Sequence, residues 1–173
     1  MNNRIASSEA EIAYRDARRR FTPLISILAV TLLFAVLPIV TRMPLLPDAG
    51  LLMLLAWRLL RPEIWSPWLP LLLGLASDLV TGHPLGQAML TWTAIVLACD
   101  VIDARLGFRD YWMDWLIAAG AIAFQTVAAW YIALLMGADV RFSIMIPQLA
   151  LGVLTYPLVT RLVLSLDRWR LAR

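Results

Sequence analysis

The chain has 173 residues, of which 61% are hydrophobic and only 16% charged, with a formal net charge of +3. So large an apolar share exceeds what one water-soluble core of this length can hide, and it excludes an ordinary soluble domain. The basic residues are all arginine and lie scattered between apolar runs, with no soluble basic face of the kind that would bind nucleic acid.

Residues 1–20 carry Arg4, Arg15, Arg18, Arg19 and Arg20 among Glu9, Glu11 and Asp16 and read as a cytoplasmic segment. The apolar run behind it is too long for a secretory h-region and lacks a small-x-small exit, so it reads as an uncleaved anchor. A first span is expected from Thr22 to Val40, with Pro23 tolerated in the first turn and Pro38 bending or ending the far end. The second apolar segment, Ala49 to Leu60, lies between Pro47 and Pro62 and is short for a crossing. A third span is expected from Ile64 to Val80, a fourth from Leu85 to Ile102, a fifth from Trp112 to Met136, and a sixth from Phe142 to Leu166 with Pro147 and Pro157 inside.

Arginine placement bears on the doubtful second segment. Six crossings put thirteen of the fifteen arginines on one side and leave only Arg42 and Arg141 opposite, whereas five crossings split them six against nine. Because cytoplasmic loops are the basic ones, six crossings with both termini cytoplasmic is the expected topology. A short second helix then crosses if Arg58 snorkels and the bilayer thins. The fold class is all-α and polytopic, with residues 1–20 cytoplasmic, a six-helix transmembrane domain over 21–166 and a cytoplasmic tail over 167–173. Trp57, Trp65, Trp68, Trp112, Trp115 and Trp169 fall near cytoplasmic span ends as interfacial anchors, while Trp92 and Trp130 lie deeper and pack.

Asp78 is the most informative ionisable residue, set in Gly74-Leu75-Ala76-Ser77-Asp78-Leu79-Val80-Thr81-Gly82. An intramembrane carboxylate must face protein or water. It either bonds the Gly82–Gly86 turn, meets a partner, or handles an ion or proton. Asp100 and Asp103 share a helix face near Arg105 and Arg109, and Asp110 and Asp114 suit the positive start of a helix. The single Cys99 and the single His83 cannot build a metal cage, and no serine has His and Asp partners, so neither a catalytic set nor a cofactor site is expected. Gly82-His83-Pro84-Leu85-Gly86 reads as a tight turn feeding the next helix. Ala118, Ala119, Gly120, Ala121, Ala123, Ala128 and Ala129 give the fifth span a small-residue surface for close helix contact, and Gln125 and Gln148 can add interhelical hydrogen bonds.

The length, the six apolar segments and the run Gly74-Leu75…Asp78-Leu79…Gly82…Pro84-Leu85-Gly86 resemble the bacterial rod-shape-determining membrane protein family MreD. Pro47-Asp48, Trp57, Arg58 and Arg61-Pro62 fit the same family's early region, and the resemblance is strongest from Pro44 to Gly86. It implies a non-enzymatic scaffold of the cell-elongation complex in the inner membrane. The implied partners are an MreC-like membrane protein and, through it, MreB filaments, a RodA-type glycosyltransferase and its transpeptidase. Within that reading the sensitive positions are Asp78, Gly82, Pro84 and Gly86, with Arg58 and Arg61 meeting anionic lipid or a cytoplasmic partner. The alternative is a small transporter or ligand-binding subunit akin to vitamin-transporter components, in which Asp78 with Asp100, or the turn at His83, would line a hydrated pocket.

Overall fold

A computed structural model describes residues 21–36, 46–105 and 110–171. The arginine-rich head, Pro38, Arg42, Pro44 and Arg109, on which several expectations rest, lie outside them. Among the described residues the chain is helical, without strands. The helices are α1 (Phe21–Val36), α2 (Ala49–Leu60), α3 (Trp68–Thr81), α4 (Gln87–Arg105), α5 (Tyr111–Leu135) and α6 (Ile146–Leu171). Short 3₁₀ turns, Pro62–Ile64 and Phe142–Met145, precede α3 and α6.

Three segments are long and apolar enough to cross a bilayer: Gln87–Arg105, Tyr111–Leu135 and Phe142–Trp169. α1, α2 and α3 are apolar but shorter. Successive helices run in opposite directions. The C-terminal ends of α2, α4 and α6 are joined by ion pairs, and the N-terminal end of α2 lies beside the α3–α4 turn and the start of α6.

α2 is the centre of the bundle. Asp48 caps it, accepting from the Leu51 amide at 3.1 Å, and every residue from Gly50 to Leu59 is buried. Its sequence, AGLLMLLAWRLL, offers no polar face, which is the signature of a helix surrounded by protein. Its bounds are those expected from the sequence, but its place is not. A crossing that thins the bilayer around an exposed short helix is unnecessary where α1, α4, α5 and α6 supply the apolar surround. Gly50 makes the fit possible, since a Cβ there would run into Thr31 of α1 and Trp92 of α4. Trp57 belongs to this core too: it is fully buried and its indole N–H donates to Ser26 Oγ at 2.9 Å, so it packs and does not anchor. Trp68, Trp112 and Trp169 are exposed, as an interfacial ring requires.

α3 begins four residues later than the expected Ile64. Pro67 pushes the chain before it out of helical space, and Trp65 is extended. Pro70 then sits in the first turn, where its missing N–H has no helical partner to lose. α3 and α4 form a close hairpin because Gly74 has no side chain: a Cβ there would strike the backbone of Ala88 and Met89. α6 continues past the expected Leu166 to Leu171, so the tail expected from residue 167 starts inside a helix. Pro157 lies within α6 and cannot donate to the Val153 carbonyl one turn back. The Trp115 indole of α5 supplies that carbonyl with a donor at 3.3 Å, so this ring is tied to a neighbouring helix.

Candidate functional site

Two polar clusters and one cavity stand out from the apolar bundle, and they divide between its two ends.

The first cluster ties the C-terminal ends of α2, α4 and α6. Arg58 is 2% exposed and pairs with Asp100 and, at 3.0 Å, with Asp103. Arg61 donates to Asp167 through Nε at 3.2 Å and Nη2 at 2.8 Å, and reaches Glu63 at 3.5 Å. The hydrogen bonds and charge of Asp167 hold the Arg61 guanidinium's pKa above its ordinary value. The geometry corrects one expectation. Arg58 does not snorkel to lipid; it is enclosed and meets two carboxylates of α4. Asp100 and Asp103 thus meet an arginine more than forty residues away, while Arg109, the sequence neighbour expected beside them, lies outside the described residues. In a low-dielectric setting such pairing matters because a lone buried guanidinium would be costly. Arg105, Arg161 and Arg168 lie toward this same end, and Arg141 toward the other.

The second cluster lies at the opposite end, in the α3–α4 turn. Asp78 is 1% exposed, and its carboxylate accepts from the backbone N–H groups of Gly86 (2.9 Å), Ala88 (2.8 Å) and Met89 (3.3 Å). One side chain of α3 thus satisfies the amides that open α4, and its negative charge sits at the positive end of that helix. Gly82 closes α3 with its N–H on the Asp78 carbonyl at 3.1 Å and a φ of 71°. Gly86 has a φ of 97°, also in the left-handed region that favours glycine. The Pro84 carbonyl accepts from Gln87 N–H at 3.0 Å, completing the turn. Asp78, Gly82, Pro84 and Gly86 therefore form one local unit, whereas Arg58 and Arg61 lie at the far end of the bundle. Asp78 and Asp100 do not share a pocket. His83 is exposed, with Nδ1 3.0 Å from Thr81 Oγ1, and among the described residues no group of His, Cys, Asp or Glu could hold a metal ion.

A cavity of about 460 Å³ opens at this second end, between the start of α2, the α3–α4 turn, the C-terminal half of α5 and the start of α6. Its walls are mainly apolar, with Leu51, Leu52, Ile122 and Met145 among them. Polar groups come from Asp48, His83, Gln87, Gln125, Thr126 and Gln148. Burial pushes the Asp48 carboxyl's pKa up from the ordinary carboxylate range, against the lowering effect of the Leu51 amide and of nearby His83. Gln148 also bridges the ends of two segments, donating to the Leu46 carbonyl at 3.0 Å. The sequence alternative placed a pocket at the His83 turn, and His83 does line this cavity; Gln125 and Gln148, expected to form interhelical hydrogen bonds, line it too. Asp48 was given no site role, although the cap signature, Asp48 directly before an apolar helix, was available.

The small-residue surface of α5 faces two ways. Ala118 and Ala121 are buried in the bundle, while Gly120 is exposed with open space where a side chain would stand. Gln125 is turned inward, and its Oε1 is buried without a hydrogen-bond partner.

No curated protein and no solved structure matches the chain. The model of one family, described as rod shape-determining protein MreD, matches residues 17–166, a stretch that takes in every helix described above except the last few residues of α6. With most of its length inside that match, and with membrane-length apolar helices to go with it, the chain belongs to the MreD family of rod shape-determining proteins.

Proposed function

We propose that this protein is a non-enzymatic scaffold of the cell-elongation complex in the bacterial inner membrane, crossing it six times with both termini in the cytoplasm. Family membership assigns the chain to rod-shape determination and to the membrane. The scaffold reading goes further. The observation that carries it is the use made of the buried charges. Arg58 is spent on Asp100 and Asp103, and Asp78 on the amides of α4, so both clusters brace helices against one another. Helices braced against one another in this way suit a protein whose task is to hold others in register.

The topology rests on the arginines. The end carrying Arg58, Arg61, Arg105, Arg161 and Arg168 faces the cytoplasm, together with residues 1–20 and the tail from 167. The α3–α4 turn and the cavity then face the periplasm. The partners in this reading are an MreC-like membrane protein and, through it, MreB filaments, a RodA-type glycosyltransferase and its transpeptidase. Crosslinking in native membranes followed by identification of the attached proteins tests it. Recovery of an MreC-like protein and rounding of depleted cells are expected; depleted cells that stay rod-shaped, with no wall-synthesis protein attached, would refute it. Reporter fusions at residues 61–63 and at 136–141 test the orientation separately.

A further inference from the structure

We propose that the cavity over the start of α2 is a binding site for a small organic cation, a positively charged nitrogen carried on an apolar stem. The inference is independent of the scaffold reading. The volume, about 460 Å³, is that of a small-molecule site, and the lining has the usual make-up of one: mostly apolar, with a few polar groups converging.

The sign of the charge follows from which groups are there. Asp48 is an acid in the lining, and the amides of Gln87, Gln125 and Gln148 and the Thr126 hydroxyl offer acceptors. Among the described residues no arginine lies in the lining, and the chain contains no lysine; His83, at the exposed rim, is the one basic side chain among the described lining residues. Among the described lining residues a phosphate or carboxylate would find no fixed positive charge, whereas an ammonium would find Asp48. Gln125 supplies a second, separate indication. It is 8% exposed, and its Oε1 has no hydrogen-bond partner, an arrangement that leaves a buried acceptor unsatisfied unless something with an N–H or O–H joins it. The apolar stem would lie along Leu51, Leu52 and Ile122.

Asp48 also caps α2, so its replacement must keep the cap. Asn caps a helix about as well as Asp and removes only the charge. The test uses the full chain in lipid nanodiscs, with empty nanodiscs as the blank, titrated calorimetrically with hexylammonium, hexanol and hexanoate. Saturable binding of one hexylammonium per chain is expected, at least about tenfold tighter than hexanoate, the difference worth one well-placed charge contact. D48N should bring hexylammonium and hexanol to within about twofold of each other. A129L, which extends a side chain into the cavity wall, should weaken hexylammonium and hexanol alike. Thermal unfolding of each variant checks that the bundle is intact. Uptake no greater than by empty nanodiscs, equal affinity for hexanoate, or a D48N protein that folds and still prefers hexylammonium would each overturn the proposal.

Discussion

Replacing Asp78 by Ala tests how the α3–α4 hairpin is held. The carboxylate accepts two short backbone hydrogen bonds, from Gly86 at 2.9 Å and Ala88 at 2.8 Å, and a longer one from Met89 at 3.3 Å. Hydrogen bonds to a charged group contribute about 1.5–3 kcal/mol each, so the two short ones give a gross loss of about 3–6 kcal/mol. Removing the carboxylate also relieves the cost of burying it, which offsets part of that loss. A net destabilisation of about 3 kcal/mol is expected, above the loss of about 1 kcal/mol for an ordinary exposed cap. Asp78→Asn keeps one acceptor oxygen and should lose about half as much. Unfolding of the purified protein in bicelles by added SDS measures the difference, and hydrogen exchange at the Ala88 and Met89 amides localises it. An Asp78→Ala protein within about 0.5 kcal/mol of the parent, with those amides still protected, would refute the reasoning.

Other perturbations have equally definite directions. Arg58→Met removes a buried cation and leaves Asp100, which is half exposed, in reach of water; the Asp100→Asn, Asp103→Asn double variant leaves the buried cation with no anion. The double variant should therefore be the less stable of the two in SDS unfolding, by about 1 kcal/mol or more. Gly74→Val should separate α3 from α4 and cost more than about 2 kcal/mol, because the obstacle is backbone at Ala88 and Met89; a disulfide-trapping assay across the hairpin would register the shift. Asp48 has a raised pKa in the folded protein, so its contribution is complete below the unfolded value and is lost as pH rises through the folded one. The stability of Asp48→Asn relative to the parent should accordingly increase as pH rises above about 4, measured as a series of unfolding midpoints.

Helix positions were largely legible in the sequence because hydropathy and proline mark them locally. α2 shows where that reading stops. Its bounds, Ala49 to Leu60, follow from Pro47, Asp48 and Pro62, but its surroundings depend on segments that come much later in the chain. The lack of any polar face was the clue to its enclosure, and length alone argued the other way. Arg58 illustrates the same limit. A lone arginine at a helix end suggests snorkelling, and nothing near it in sequence points to Asp100 and Asp103. Asp78 lies only eight residues from Gly86, so bonding to the turn was among the readings the sequence could offer. The cavity draws its lining from four stretches far apart in the chain, and no sequence pattern links them.

The order in which the ribosome delivers these segments gives the Arg58 pair a further meaning. When α2 leaves the translocon, the carboxylates that will neutralise its arginine have not yet been made, and a twelve-residue helix bearing an uncompensated charge has little hold on hydrocarbon. Its commitment to the bilayer must wait for α4. Nascent chains halted before Asp100 should leave residues 49–60 extractable or in water, and chains extended past Asp103 should lock them in. Biogenesis of this protein would then proceed from the outside inward, with its innermost helix settling after its neighbours.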